Sequence, residues 1–420
     1  MNRISLVMKV KSLIAFLVCF LLLSCSGGDS ESAGFKIGVP SQSYKKVYIH
    51  YLPWFGGDTS SGRHWIDGTV NTPLIGYYDS KSWATHFYHI LLTSALGVDG
   101  AMINVKTDYD QEAFDIFLAS LKRVHDIYPD FDYSVFISLD DQDMTVSLAK
   151  EKLTLLKQNM TSNINGYLHR DGEPVIFIWM YDYLNSSEYR SAVKTVFDEN
   201  TPVLIKNDID IDATPNVLNM DGFYPWVKGF QDDGSDWGEE YLDWFYETSF
   251  VFKQANKQRF VVGAAWPGFD DRNVTWGQHR WIDRKDGEVY KNTWEKVLKY
   301  TDQDTPTLDT GIEWVVIETW NDFNEGSEIE PVVSNDTSER FKYAELTAEY
   351  IARFKGRELN IELSQELLLS VVEIYYAARL IEQGERSEAD YYPKLQKSIK
   401  RYLQGDSTEA LKVAREIIDG

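Results

Sequence analysis

The feature that most constrains the fold is an alternation of short apolar segments with amphipathic ones. Eight runs rich in β-branched and aromatic residues each end in polar or aromatic residues, and most are followed by an apolar pattern of helical period. Continuous apolar runs of this kind are typical of parallel strands buried on both faces. The predicted strands cover residues 46–54, 98–105, 133–139, 174–180, 202–205, 220–226, 260–266 and 311–320, and the predicted helices between and after them cover residues 81–96, 111–127, 146–163, 237–256, 290–301 and 338–355.

Strands that alternate with helices join into a parallel sheet through right-handed crossovers. Eight such units predict an α/β protein with a closed (β/α)8 barrel of the TIM type over residues 44–357. A doubly wound open sheet is the competing architecture, and the absence of a glycine-rich phosphate loop after the first strand disfavours it. Residues 358–420 predict a small helical extension, which is either a cap packed on the barrel or a separate bundle that binds a partner. Its three helices are expected at residues 363–381, 391–403 and 409–418.

The first 24 residues predict an export signal. A positively charged start precedes an apolar run at residues 13–23, which is too short to span a bilayer and the right length for a signal-peptide core. The run ends in Leu22-Leu23-Ser24-Cys25, which resembles a bacterial lipobox and implies lipidation of Cys25, with residues 25–43 as a flexible tether. An ordinary cleaved signal peptide is the alternative.

A lipid anchor on Cys25 would have two consequences. Cys19 is removed with the signal, so the exported chain has no disulfide and its core alone must hold the fold. The serine at position 26 favours the outer membrane by the sorting rule that the resemblance implies, and the nearby Asp29 and Glu31 resemble surface-export signals. We therefore expect the protein at the cell surface of a Gram-negative bacterium, with the periplasmic face as the alternative.

Charge and aromatic content narrow the class of partner. The formal net charge of −23 excludes a nucleic acid as the default partner, because phosphate backbones require a basic face. Aromatic residues make up 14% of the chain, and rings that do not pack in a core can stack on the apolar faces of sugars. The expected partner is therefore a polysaccharide or an oligosaccharide.

The carboxyl ends of the predicted strands carry aromatic and acidic residues, at the face where barrel enzymes bind substrate. Aromatic rings stack on sugar faces, while a pair of carboxyl groups can perform acid/base chemistry at a glycosidic bond. Each tryptophan taken singly is compatible with ordinary packing, so the argument depends on their recurrence at five strand ends. The strand-end residues are His50, Tyr51, Trp54, Asp108, Asp140, Asp141, Trp179, Asp182, Asp208, Tyr224, Trp226, Trp266, Asp270 and Asp271.

Asp322 and Glu325 are the strongest catalytic candidates. They lie three residues apart just beyond the eighth strand, so a turn there would direct both into one space. Two close carboxyl groups acquire different pKa values, which lets one act as an acid and the other as a base. The alternative is that either one caps a following turn. No metal or cofactor is expected, since the chain has no HExxH motif and no EF-hand pattern around Asp140.

The same region resembles a known family. Residues 320–331 read WNDFNEGSEIEP, similar to the Asn-Glu-Trp-His-Glu-Gly-Thr-x-Ile-Glu-Pro of glycoside hydrolase family 99, which includes endo-α-mannosidases. The first strand agrees, because residues 50–55 read HYLPWF and residues 63–65 read RHW. Asp322 replaces the first family glutamate, and the form Trp-Asn-Asp-Phe-x-Glu is closer to the family 71 α-1,3-glucanases. The chain therefore resembles the intermediate family 71/99-like group.

The resemblance implies a role for each matching residue. Glu325 takes the part of the general acid/base, and Asp322 takes that of a base on the sugar 2-hydroxyl in a retaining mechanism. The shorter aspartate withdraws its carboxylate by one methylene group, which leaves that route and the stereochemical outcome open. Together with the strand-end pattern, the resemblance gives these expected sugar-contact residues: Tyr51, Trp54, His64, Asp79, Trp179, Asp182, Trp226, Trp266, Trp320 and Asn321.

The sequence thus predicts an exported glycoside hydrolase that cleaves α-linked bonds in an α-mannan-like or α-glucan substrate. Two other functions remain open. One is a non-catalytic glycan-binding lipoprotein on the same barrel, which the adjacent acids disfavour because a binding protein needs no such pair. The other is a structural partner in a glycan-uptake complex, which would depend on the C-terminal helices.

Overall fold

The computed structural model describes residues 36–38, 44–161, 166–179, 183–198, 201–208, 219–255, 259–301, 311–356 and 363–420. The expected signal segment, Cys25, most of the tether and Asp182 lie outside the described residues. Residues 35–420 form one compact unit. In the described ranges, no helix is both long and apolar enough to cross a lipid bilayer.

Eight parallel strands close into a barrel. Neighbouring strands pair in the order β3-β2-β1-β8-β7-β6-β5-β4, and a further ladder between β3 and β4 closes the ring. Closure removes the open edges that a doubly wound sheet would keep, so the predicted (β/α)8 TIM-type barrel is confirmed. The strands are β1 (Lys46–Tyr51), β2 (Gly100–Val105), β3 (Ser134–Asp140), β4 (Glu173–Trp179), β5 (Val203–Asn207), β6 (Gly222–Tyr224), β7 (Phe260–Ala265) and β8 (Trp314–Ile317).

In the described ranges, helices follow seven of the eight strands, all but β5, and continue into the C-terminal extension. The helix after β4 is not among the predicted ones, although its start carries a capping box in which Asn185 and Glu188 bond each other's backbone amides. The main helices are α1 (Trp83–Ala95), α2 (Asp108–Ile127), α3 (Val146–Thr161), α4 (Ser186–Phe197), α5 (Glu239–Ala255), α6 (Glu288–Thr301), α7 (Lys342–Lys355), α8 (Gln365–Glu382), α9 (Glu388–Leu403) and α10 (Ser407–Ile418), and a four-residue helix, Thr337–Arg340, lies just before α7.

The C-terminal helices pack on the barrel through α1. Glu382 at the end of α8 accepts hydrogen bonds from the backbone amide of Trp83 at 2.8 Å and from the Ser82 hydroxyl at 2.6 Å. Tyr375 also packs against Tyr88, with 5.9 Å between ring centroids. These contacts lie at the start and middle of α1, so α8 covers the outer side of the barrel. The boundary at residue 357 stays a prediction.

Candidate active site

The segment after β8 is fastened to the end of β1. The side-chain oxygen of Asn321 accepts the amide of Leu52 at 2.8 Å, and its nitrogen donates to the Leu52 carbonyl at 3.0 Å. The backbone amide of Trp320 donates to the His50 carbonyl at 2.8 Å. Because Asn321 is fully buried, these bonds form in the interior and fix the path of the chain leading to Asp322.

A tight turn then brings Asp322 and Glu325 together. The Asp322 carboxylate accepts the backbone amide of Glu325 at 2.8 Å. Gly326 completes the turn with a φ of 58°, a conformation that favours glycine, and a Cβ there would lie 2.8 Å from the Val70 side chain. Both acidic side chains line the same cleft at the carboxyl end of the barrel.

The environment of Asp322 and Glu325 favours the protonated forms of their carboxyl groups near neutral pH. Asp322 is 1% exposed, and burial raises the pKa of its carboxyl group to about 7, although the Glu325 amide opposes the change. Burial, followed by the negative charge of Asp322, raises the pKa of Glu325 well above its ordinary value. In such a pair, one carboxyl group can donate a proton while the other accepts one.

Arg280 is held beside Glu325 by a buried aspartate. Its Nη2 lies 3.7 Å from Glu325 Oε1, and its Nε donates to Asp271 Oδ2 at 2.8 Å. Asp271 is fully buried and also accepts the backbone amide of Arg280 at 2.6 Å. The positive charge partly offsets the burial effect on the pKa of Glu325.

The cleft has a volume of about 540 Å³ and combines an aromatic wall with polar groups. Trp226 packs edge to face against Trp179, with 5.5 Å between ring centroids, and Trp54 lies 5.2 Å from the His64 ring. This size and mixture suit a ligand with apolar faces and many hydroxyl groups. Of the predicted site residues, the cleft is lined by Asp322, Glu325, Trp54, His64, Trp179 and Trp226.

Other predicted contact residues lie outside this lining. Strand side chains alternate, and since His50 faces the cleft, Tyr51 points outward and hydrogen-bonds His89 of α1 at 3.1 Å. Trp266 is fully buried and donates from Nε1 to the Trp237 carbonyl at 3.0 Å. The remaining three also have structural contacts or are buried. Asp79 accepts the Tyr109 hydroxyl at 2.7 Å, while Trp320 and Asn321 are fully buried and do not line the cleft.

Several cleft residues have no assigned role in the sequence prediction. His50 and Asp140 are among the strand-end residues named from the sequence, but without a role. Asn104 is not, although the alternation of side chains along β2 could have indicated that it faces the barrel interior. Trp276, Gln278 and Arg280 come from the loop after β7, whose path depends on Asp271. The full set is His50, Leu52, Arg63, Asn104, Lys106, Thr107, Asp110, Asp140, Gln142, Trp276, Gln278 and Arg280.

The described ranges contain no group of three or more histidine, cysteine, aspartate or glutamate side chains placed to hold a metal ion.

Fold and cleft together define a (β/α)8-barrel protein with paired acids in an aromatic-lined cleft. Solved structures share this fold. The family 99 endo-α-mannosidase of Bacteroides thetaiotaomicron, in complex with Bis-Tris propane, aligns with a TM-score of 0.60 and 16% identity over 75% of this chain and 98% of that chain. A second structure of that enzyme also gives 0.60 and 16%, over 74% and 97%.

A glycoside hydrolase-like protein aligns with a TM-score of 0.54 and 13% identity, over 77% of this chain and 97% of that chain. No protein-family model matches the chain, and no curated protein sequence matches it. At these identities the likeness establishes a common barrel fold.

Proposed function

We propose that the protein is a glycoside hydrolase that cleaves α-linked bonds in a poly- or oligosaccharide. The observation that carries the proposal is the carboxyl pair Asp322 and Glu325, two acids with raised pKa values in a cleft with an aromatic wall. A glycosidic bond needs an acid for the leaving oxygen and a second carboxyl group at the sugar. A site that only binds sugars needs no such pair.

The exposure of the two acids suggests a division of labour. The Glu325 side chain is 15% exposed in the cleft, whereas Asp322 is almost fully buried. Glu325 is therefore better placed to pass a proton to the glycosidic oxygen, and Asp322 is better placed to act as the base or charged partner. As Glu325 gives up its proton, the Arg280 guanidinium stabilises the carboxylate that forms.

The substrate class is supported by the resemblance of residues 320–331 and by the fold. One structural neighbour is described as an endo-α-mannosidase. The family 71-type aspartate keeps α-glucan open beside α-mannan. The test is incubation of the purified protein with yeast mannan, α-1,3-glucan and starch, followed by analysis of released oligosaccharides. Retention on one polymer without any product would favour the non-catalytic binding protein instead.

Removing one wall of the cleft should weaken sugar binding. Trp226→Ala is expected to raise KM by about fivefold, because stacking on one aromatic ring contributes on the order of 1 kcal/mol. Far-ultraviolet circular dichroism should stay unchanged. The matched control is Trp244→Ala, since Trp244 lies on α5, is 38% exposed and is not part of the cleft lining. An equal effect of both substitutions on KM would contradict the assignment of Trp226.

We also propose that the protein is anchored to the outer membrane, at the cell surface, by lipid on Cys25. Support comes from the sequence of residues 1–25. In a Gram-negative host, the wild-type protein should incorporate labelled palmitate and sediment with outer membranes, while Cys25→Ser should do neither. Digestion by protease added to intact cells would distinguish the outer surface from the periplasmic face. Labelling that persists in Cys25→Ser would contradict the anchor.

A further inference from the structure

A histidine and a glutamate form a buried pair on the floor of the cleft. His50 Nδ1 and Glu318 Oε2 are hydrogen-bonded at 2.6 Å, and the two side chains are 2% and 0% exposed. His50 belongs to β1 and Glu318 directly follows β8, so closure of the barrel brings them together. Burial raises the pKa of Glu318, and the charge of His50 opposes this change. The function proposed above does not use this pair.

The His50 side chain borders the cleft. His50 is part of the cleft lining, whereas Glu318, which occupies Nδ1, is not. The remaining ring nitrogen, Nε2, is buried and has no hydrogen-bond partner among the described residues. Trp226 packs edge to face on the same imidazole at 5.4 Å, and the Asp322 carboxylate lies within its electrostatic reach. A buried nitrogen without a partner is costly unless a ligand or water satisfies it.

We propose that His50 is a further substrate-binding residue, whose Nε2 hydrogen-bonds a hydroxyl group of the sugar positioned at Asp322 and Glu325, with Glu318 as its positioning residue. The inference rests on the proposed function and deepens it, because it names a contact with the reacting sugar. A hydroxyl group suits this nitrogen in both protonation states, since it can donate to neutral imidazole and accept from imidazolium. Glu318 fixes the orientation of the ring by holding Nδ1, as a carboxylate does behind other functional histidines.

Two substitutions separate this role from a purely structural one. Asn at position 50 places an amide near the position of Nδ1, so it can still bond Glu318 but cannot reach the cleft. Gln at the same position carries its amide about as far as Nε2. We expect His50→Asn to lower kcat/KM by about 100-fold and His50→Gln by about tenfold, the magnitudes of a lost and a weakened substrate contact. If His50 serves only to satisfy Glu318, His50→Asn should instead be the milder variant, and that order would overturn the inference.

A second measurement does not depend on turnover. In Glu325→Gln protein labelled with 15N-histidine, the His50 ring nitrogens are identified by their loss in His50→Asn. Adding oligosaccharides from yeast mannan or α-1,3-glucan should shift the Nε2 resonance and leave Nδ1 nearly unchanged. Failure of both oligosaccharides to shift Nε2 would overturn the inference, even where hydrolysis by the wild-type protein upholds the proposed function. Absence of hydrolysis together with an Nε2 shift would contradict the proposed function and keep the sugar contact.

Discussion

Glu325→Gln is expected to lower kcat/KM on the cleaved polysaccharide by about 10³-fold, within the range of rate loss for a missing general acid. The amide keeps the size and hydrogen-bonding capacity of the side chain but has no proton to give to the glycosidic oxygen. Arg280, 3.7 Å away, remains paired with the buried Asp271, so the wall of the cleft should persist. Initial rates of reducing-end release, measured over a range of substrate concentrations, provide the comparison.

The variant should still fold and bind sugar. Replacing a buried acid of raised pKa by an amide removes the cost of ionising it, so the melting temperature near pH 8 should equal or exceed that of the wild type. Glu240→Gln is the matched control, because Glu240 lies exposed on α5. Turnover by Glu325→Gln within about threefold of this control would remove Glu325 from the mechanism.

Asp322→Asn should also lower kcat/KM, by about 10² to 10⁴-fold, because the second carboxyl group of the pair can then neither accept a proton nor carry negative charge. The asparagine oxygen can still accept the Glu325 amide, so the turn itself should survive. The loss should therefore appear mainly in kcat. An unchanged kcat with a raised KM would assign Asp322 to binding alone.

The same substitution should change how stability depends on pH. The folded-state pKa of Asp322, about 7, lies above the unfolded value of about 3.9, so the folded protein holds this proton more tightly. The contribution of this raised pKa to the free energy of unfolding is fully present below about pH 4 and is lost as the pH rises through about 7. Relative to wild type, Asp322→Asn should gain on the order of 4 kcal/mol in unfolding free energy between about pH 4 and pH 8.

Urea denaturation at the two pH values measures that gain. Asp126→Asn is the control, since Asp126 is an exposed residue of α2 that pairs with Lys122 at the surface. An equal pH dependence in wild type and Asp322→Asn would show that Asp322 ionises in the folded protein as it does in the unfolded chain.

The barrel could be predicted because each strand is a local signal. The apolar run at residues 260–266 matches β7, Phe260–Ala265, to within one residue. The first apolar run predicts a strand that reaches residue 54, yet β1 ends at Tyr51. Apolar residues continue beyond that point, but the side chain of Asn321, 269 residues away, hydrogen-bonds the backbone of Leu52. That backbone therefore pairs with a side chain and not with a neighbouring strand. The sequence pattern around Leu52 carries no information about Asn321.

The candidate site was predictable only in part, for the same reason. Asp322 and Glu325 are close in sequence, so their spacing alone indicates a shared space. The sequence predicts a sugar contact for Tyr51 because aromatic character does not reveal which face of the strand lines the barrel interior. In the structure His50 lies on that face instead. Arg280 could not be anticipated, because it reaches Glu325 only through a loop that folds around the buried carboxylate of Asp271.

Incubation of the protein with the polysaccharide panel in H2 18O, followed by mass spectrometry of the products, tests the central claim most directly. The account predicts oligosaccharides from one α-linked polymer that carry 18O at the new reducing end, produced by the wild-type protein and not by Glu325→Gln. Labelled products formed equally by both proteins would contradict catalysis by Glu325. Binding of a polymer with no labelled product would contradict hydrolysis altogether.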